Sequence, residues 1–360
     1  MIRFLAAAAL SLVLAGGALA QPAPKLDLHE GDFVVPGFRF HSGETLPQLR
    51  VHYTTLGTPA RDASGRVTNA VLILHGTGGD GQQFLRPQFA DVLLRPGGLL
   101  DPARMYIILP DDIGHGKSSK PSDGLRAHFP HYRYADMVAA EHALVVQGLH
   151  VDHLRLVMGT SMGCMHSFLW GETWPDFMDA LMPLACLPVE IAGRNRLWRA
   201  MIVDAIRNDP AWQGGDYRTE PVQALRTTAD LLLIAGSAPI PMQLAYPTRD
   251  AADKFLRETQ AREIKGLDAN DILYAVESSE DYDPSGGLGR ITAPMIWINS
   301  ADDFIDPPEL GLAERAIAQI RNGRFVLIPA SDKTHGHGTH TWAAIWQSYL
   351  AELLNESAHH

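Results

Sequence analysis

The sequence predicts an α/β protein, with a mostly parallel central sheet covered by helices on both faces and a helical insertion late in the chain. Three observations lead there. Short, wholly apolar runs recur and end in loop residues, as in NAVLILHG (apolar from Ala70 to Leu74), MYIILPDD (Met105–Asp112) and LRLVMGTS (Leu154–Ser161). Between the second and third, Tyr134 to Gly148 carries helical periodicity. From about Glu190 to Leu288 the pattern becomes mainly helical, and strand character resumes afterwards. A strand that is apolar throughout, rather than alternating, is buried on both faces, which in a parallel sheet means helices above and below it.

The chain opens MIRFLAAAALSLVLAGGALA, one arginine before an apolar run that ends in small residues. This is the layout of an export leader over residues 1–20, cleaved after Ala20. The mature protein is then expected in the periplasm or outside the cell. No later segment has some 18 uninterrupted apolar residues, so no membrane insertion is expected. A formal charge of -11 argues against nucleic acid or an anionic membrane as partner. Two cysteines, Cys164 and Cys186, do not make a disulfide scaffold, although an exported protein could join them if geometry allows.

A short strand is expected over Val51–Leu56, then a polar turn from Thr58 to Arg66 before the strand at Ala70. After Ser161 a helix runs to Trp170, and Leu181–Pro188 forms a fourth strand of the series. These close the first part of the core, residues 21–189. Residues 190–288 form the helical insertion, placed over the strand ends as a lid. The second part of the core, 289–356, has strands at Ala293–Asn299 and Arg324–Pro329. They flank a helix near Leu310–Ile320, and a last helix spans Thr341–Leu354.

Gly159-Thr160-Ser161-Met162-Gly163 fits G-x-S-x-G, with an apolar strand before it and a helix-compatible run after it. A nucleophilic serine needs this sharp turn, which exposes its hydroxyl while the helix N-terminus favours developing negative charge. The oxyanion needs two donors. The backbone N–H of Met162 is one, and HGTGG (His75–Gly79) at the end of an earlier strand offers the N–H of Thr77 as the other. The acid is expected after a late strand, where INSADDFIDPPE holds Asp302, Asp303 and Asp306. Asp303 is preferred, Asp302 is its competitor, and Asp306 suits a helix cap. The base is expected last, among His335, His337 and His340. His337 lies between Gly336 and Gly338 with room to approach the serine. In this scheme His337 takes the Ser161 proton, Asp303 orients the ring, and an acyl-enzyme forms. Neither a metal nor a cofactor is called for.

These residues resemble the α/β-hydrolase fold and, more closely, its homoserine O-acetyltransferase branch. Tyr53–Gly79 is similar to that branch's opening region, and Gly159–Pro183 to its nucleophile helix and next strand. AIRNDPAWQGGDY (Ala205–Tyr217) is similar to its insertion signature. The resemblance implies the Ser161–His337–Asp303 triad, the Thr77 and Met162 oxyanion donors, and a homodimer made through the insertion. Two departures bear on substrate. The arginine that helps hold the homoserine carboxylate in that branch corresponds to Val203, and the aspartate after its catalytic histidine corresponds to Gly338. Losing both charged contacts weakens recognition of a zwitterionic amino acid. The expectation is therefore a serine esterase acting on a small carboxylic ester, with an O-acyltransferase or a non-catalytic binding protein as alternatives. Trp198, Met201, Trp212, Met242 and Tyr246 are candidates either to line an acyl or aromatic pocket or to pack the insertion's helices together.

Overall fold

A computed structural model describes residues 26–359. The expected leader, residues 1–20, lies outside the described residues. Among the described residues no helix is long and apolar enough to cross a membrane.

Among the described residues the sheet has eight strands: β1 (His29–Arg39), β2 (Thr45–Leu56), β3 (Ala70–Leu74), β4 (Tyr106–Pro110), β5 (Leu156–Thr160), β6 (Leu181–Leu184), β7 (Met295–Ser300) and β8 (Gly323–Ile328). Their spatial order is β1-β2-β4-β3-β5-β6-β7-β8. From β4 to β8 all neighbours are parallel, whereas β1–β2 and β2–β4 are antiparallel. The sheet is thus mixed, with an antiparallel edge added to the expected parallel centre. That edge includes β1 and the first half of β2, which the apolar-run pattern did not reveal. β1 alternates exposed and half-buried residues because one face lies open, so it carries no continuous apolar run.

Among the described residues ten α-helices accompany the sheet: α1 (Pro87–Leu93), α2 (Tyr134–Ala143), α3 (Met162–Thr173), α4 (Gly193–Arg207), α5 (Val222–Gly236), α6 (Pro239–Ala245), α7 (Arg249–Glu263), α8 (Ala269–Glu277), α9 (Leu312–Ile317) and α10 (Ala343–Glu356). Every residue of β3 and β5 is buried, because helices cover both faces there. On one face, Leu72, Leu74, Met162 and Phe168 share a core with Trp297. On the other, Val71 and Ile73 pack with Phe89, Trp346 and Leu350. Each fully buried large aliphatic side chain contributes about 1.5–3 kcal/mol.

Helices α4–α8 fall between β6 and β7 and build a separate core from Trp198, Ile202, Ile206, Tyr217, Leu225 and Leu273. Helix α8 fastens this block to the rest of the protein. The Tyr274 hydroxyl donates to the Phe129 carbonyl at 2.8 Å, and Ser122 Oγ donates to Asp271 Oδ2 at 2.6 Å. Cys164 of α3 and Cys186, just beyond β6, form a disulfide with Cα atoms 5.8 Å apart. It ties the helix that follows the nucleophile to the neighbouring strand end.

Candidate active site

Ser161 sits between β5 and α3 with φ 56° and ψ -111°, a positive φ that non-glycine residues seldom adopt. Such backbone costs on the order of 1–3 kcal/mol and persists only where its surroundings enforce it. Here the Ser161 N–H donates to the Leu184 carbonyl at 2.9 Å, and the Gly163 N–H to the His75 carbonyl at 2.9 Å. The flanking glycines follow from this crowding. A Cβ on Gly159 would be driven into the Gly163 carbonyl, and one on Gly163 into the Leu74 carbonyl.

His337 lies in a 3₁₀ turn, Gly336–Thr341, just ahead of α10. Its Nε2 is 2.8 Å from Ser161 Oγ and its Nδ1 is 2.8 Å from Asp303 Oδ2. An ionised carboxylate can only accept, so Nδ1 carries the ring proton and Nε2 is left to accept the serine proton. Asp303 and His337 are both buried. The other Asp303 oxygen accepts from the Ile305 N–H at 2.7 Å and the Asp306 N–H at 3.2 Å, which locks the carboxylate plane. Burial pulls the His337 pKa down. The Asp303 charge and hydrogen bond, with Asp306 behind them, outweigh burial, and the net shift is upward.

The competing residues have other places. Asp302 Oδ2 accepts from Thr334 Oγ1 at 2.7 Å and from the Gly336 N–H at 3.3 Å, bracing the histidine loop. His335 stacks on Trp342 with ring centroids 4.1 Å apart. His340 is half-buried, and desolvation followed by the neighbouring His337 pushes its pKa well down. Asp306 caps no helix: both of its carboxylate oxygens are buried without a hydrogen-bond partner among the described residues.

The HGTGG loop passes over the nucleophile, so that a Cβ on Gly76 would lie 3.2 Å from Ser161 Cβ. The loop is held by His115, whose Nε2 is 2.9 Å from the Thr77 carbonyl. Met162 is the first residue of α3 and is fully buried.

A cavity of about 950 Å³ adjoins the triad on its acid side. Met165, Leu187, Ile191, Ala238 and Met242 line it, together with Asp303 and Asp306. It meets the triad at Asp303 rather than at Ser161. Of the five aromatic and methionine candidates, Met242 lines this cavity. Trp198 and Trp212 pack within the core of the inserted helices, where Trp212 Nε1 donates to Asn270 Oδ1 at 2.8 Å. Met201 is exposed, and Tyr246 stacks on Phe255 at 4.1 Å.

A second polar cluster escaped the sequence reading, since its members stand on three separate elements. Asp112, Glu141 and His166 are all buried, with ligand-type atoms within 4.8 Å of one another. His166 Nδ1 is 2.7 Å from Glu141 Oε1, and Trp170 Nε1 also donates to Glu141. Burial, then the Glu141 charge, drive the Asp112 pKa well up, and burial pushes Glu141 to about 7. Neither Asp112 oxygen has a hydrogen-bond partner among the described residues, although His75 Nε2 and His166 Nδ1 lie 3.5 and 3.7 Å from its Oδ2.

Fold and triad together define a serine enzyme that acts through an acyl intermediate. The chain belongs to the alpha/beta hydrolase fold family, whose model matches residues 69–332. It is 34% identical over 304 residues to a homoserine O-acetyltransferase of Thermobifida fusca, covering 74% of this chain and 78% of that protein. Among solved structures it resembles the acetyl esterase MekB, with TM-score 0.78, 24% identity, and coverage of 91% of this chain and 97% of that one. It also resembles homoserine O-acetyltransferase from Bacillus anthracis, with TM-score 0.80, 19% identity, and coverage of 91% and 98%. The protein is therefore related to a branch that holds both esterases and acetyltransferases.

Proposed function

We propose that this protein hydrolyses a small carboxylic ester, with water resolving the acyl-enzyme. Ser161 Oγ attacks the ester carbonyl as its proton passes to His337 Nε2, and the imidazolium then protonates the leaving alkoxide. In the second half His337 draws a proton from water, whose oxygen attacks the acyl carbonyl, and returns that proton to Ser161 Oγ as the Oγ–acyl bond breaks and the acid leaves. The backbone N–H groups of Met162 and Thr77 are the proposed oxyanion donors. The position of Met162 at the start of α3 and the approach of the HGTGG loop to Ser161 support them.

The observation that carries hydrolysis over transfer to homoserine is the pair Val203 and Gly338. Val203 packs against the apolar core of the inserted helices, where an arginine would present a charge. Gly338 offers no carboxylate for an amine. Compartment supports the same reading. The leader-like N-terminus and the Cys164–Cys186 disulfide fit an exported protein, which would not meet cytoplasmic acyl-CoA. Exposed Leu197, Met201, Ile234, Ile240 and Leu244 on the inserted helices support self-association through that block, which sedimentation would detect as a dimer.

The test is a panel of acyl esters given to purified protein, with and without homoserine. Free acid at equal rates in both conditions is expected. Acyl-homoserine made from acetyl-CoA would replace this reading with acyl transfer. Protein that is neither active on esters nor labelled by a fluorophosphonate would leave only a binding role.

A further inference from the structure

Asp306 stands beside the triad and takes no part in the Ser161–His337–Asp303 chain. It is 2% exposed, and among the described residues neither carboxylate oxygen has a hydrogen-bond partner. Leaving such a group buried and unpaired is costly, so its retention calls for a nearby charge that it serves. Its own N–H is bonded to Asp303 Oδ1 at 3.2 Å, and Pro307 and Pro308 stiffen the chain directly after it. The carboxylate is thereby held with Oδ2 3.7 Å from His337 Nδ1, the atom that Asp303 already holds at 2.8 Å.

The charged and titratable groups around Asp306 come from several elements. Asp303 is on its own loop and His337 on the turn before α10. From α4 comes Arg199, a buried guanidinium bonded to Ser279 Oγ at 3.1 Å and Asn195 Oδ1 at 3.0 Å, with no ion pair among the described residues. Tyr282 adds a hydroxyl that is buried without a partner.

We propose that Asp306 is a second acid for His337: a positioning residue whose carboxylate supports the imidazolium and accepts the Nδ1–H when Asp303 cannot. Protons balance simply. The Ser161 proton moves to Nε2, the Nδ1 proton stays on the ring, and neither carboxylate is protonated in the step. Burial, with the Asp303 charge behind it, raises the Asp306 pKa to about 7, while His337 and Arg199 pull it back. Above that value Asp306 is already the carboxylate that supports the imidazolium, and below it the group is neutral. The inference rests on the triad reading, which loss of fluorophosphonate labelling in Ser161→Ala tests separately.

The experiment compares wild type, D306N, D303N and D303N/D306N. It measures kcat and KM on p-nitrophenyl acetate across the acid and neutral range, the low-field Nδ1–H proton resonance, and thermal melting. D303N is expected to keep about tenfold more kcat than the double variant, the effect of one pKa unit of charge interaction, with KM unchanged. The Nδ1–H resonance should persist in D303N and vanish in the double variant. Equal kcat in D303N and D303N/D306N overturns the proposal. Should D303N not fold, D306N decides alone: an acid limb moved to lower pH supports the role, and a profile superimposed on wild type overturns it.

Discussion

Gly336 of the histidine loop lies against Ser237 of the inserted helical block, so closely that a Cβ at 336 would sit 2.7 Å from the Ser237 carbonyl oxygen. Gly336 also has φ +58°, so a side chain there meets both a steric wall and an unfavourable backbone region. The loop that carries the catalytic base is thus shaped by the inserted block as well as by the sheet. Gly336→Ala is expected to displace His337 and reduce kcat by about a hundredfold, since a misplacement near 1 Å has that effect. Gly338→Ala, where a Cβ finds nothing nearer than 3.7 Å, should be far milder. Steady-state kinetics of the two variants checks the contrast.

Ser161→Ala should abolish fluorophosphonate labelling and lower kcat by at least about a thousandfold, because the other triad members cannot act without the nucleophile. Its melting temperature should not fall. Alanine at a strained, positive-φ position loses the 2.8 Å contact to His337 but no buried apolar group. Activity that survives in this variant would remove Ser161 from the mechanism.

The upward shift at His337 has two consequences of defined sign. Only the neutral ring can take the serine proton, so the acid limb of kcat/KM should lie above the ordinary histidine value of about 6.5. Asp303→Asn should bring it down. The same shift stabilises the fold at pH values below the unfolded-state pKa, and that contribution is lost as pH rises through the folded-state value. A limb that stays put in Asp303→Asn would contradict the assignment of the acid.

Glu141→Gln should stabilise the protein at alkaline pH. Burial lifts the Glu141 pKa to about 7, so the native state holds a proton that the unfolded chain releases from about pH 4.5 upward. Stability is therefore drained between those values, by on the order of 3 kcal/mol for a shift of this size. The amide carries no charge and still offers an acceptor to Trp170 and a donor to His166 Nδ1. Thermal melts at acid and alkaline pH should show a smaller fall for the variant than for wild type. An equal fall would mean that Glu141 is not the group whose ionisation drains stability.

Reducing the Cys164–Cys186 bond should cost about 3 kcal/mol, the loop-closure value for a separation of 22 residues. Because it ties α3 to the end of β6, activity should decline before global unfolding as denaturant is added. Coincident loss of activity and far-UV ellipticity, oxidised or reduced, would argue against a local role.

The sequence by itself determined the strand and helix rhythm, the turn at Ser161 and the order in which nucleophile, acid and base appear. Those features are local: apolar runs such as AVLIL mark buried strands, and G-x-S-x-G marks a crowded turn. Only tertiary structure decided among Asp302, Asp303 and Asp306 and among the three histidines, since the selection depends on groups 34 and 176 residues apart in the chain. Asp306 is the sharpest case. Beside a pair of prolines it reads as a helix cap, yet the loop turns its carboxylate inward, where the positions of His337 and Arg199 give it a different environment. The antiparallel edge formed by β1 was hidden for a related reason. Its pairing with β2 depends on backbone hydrogen bonds, which every residue but a proline such as Pro36 can donate, whereas the apolar pattern reports only burial.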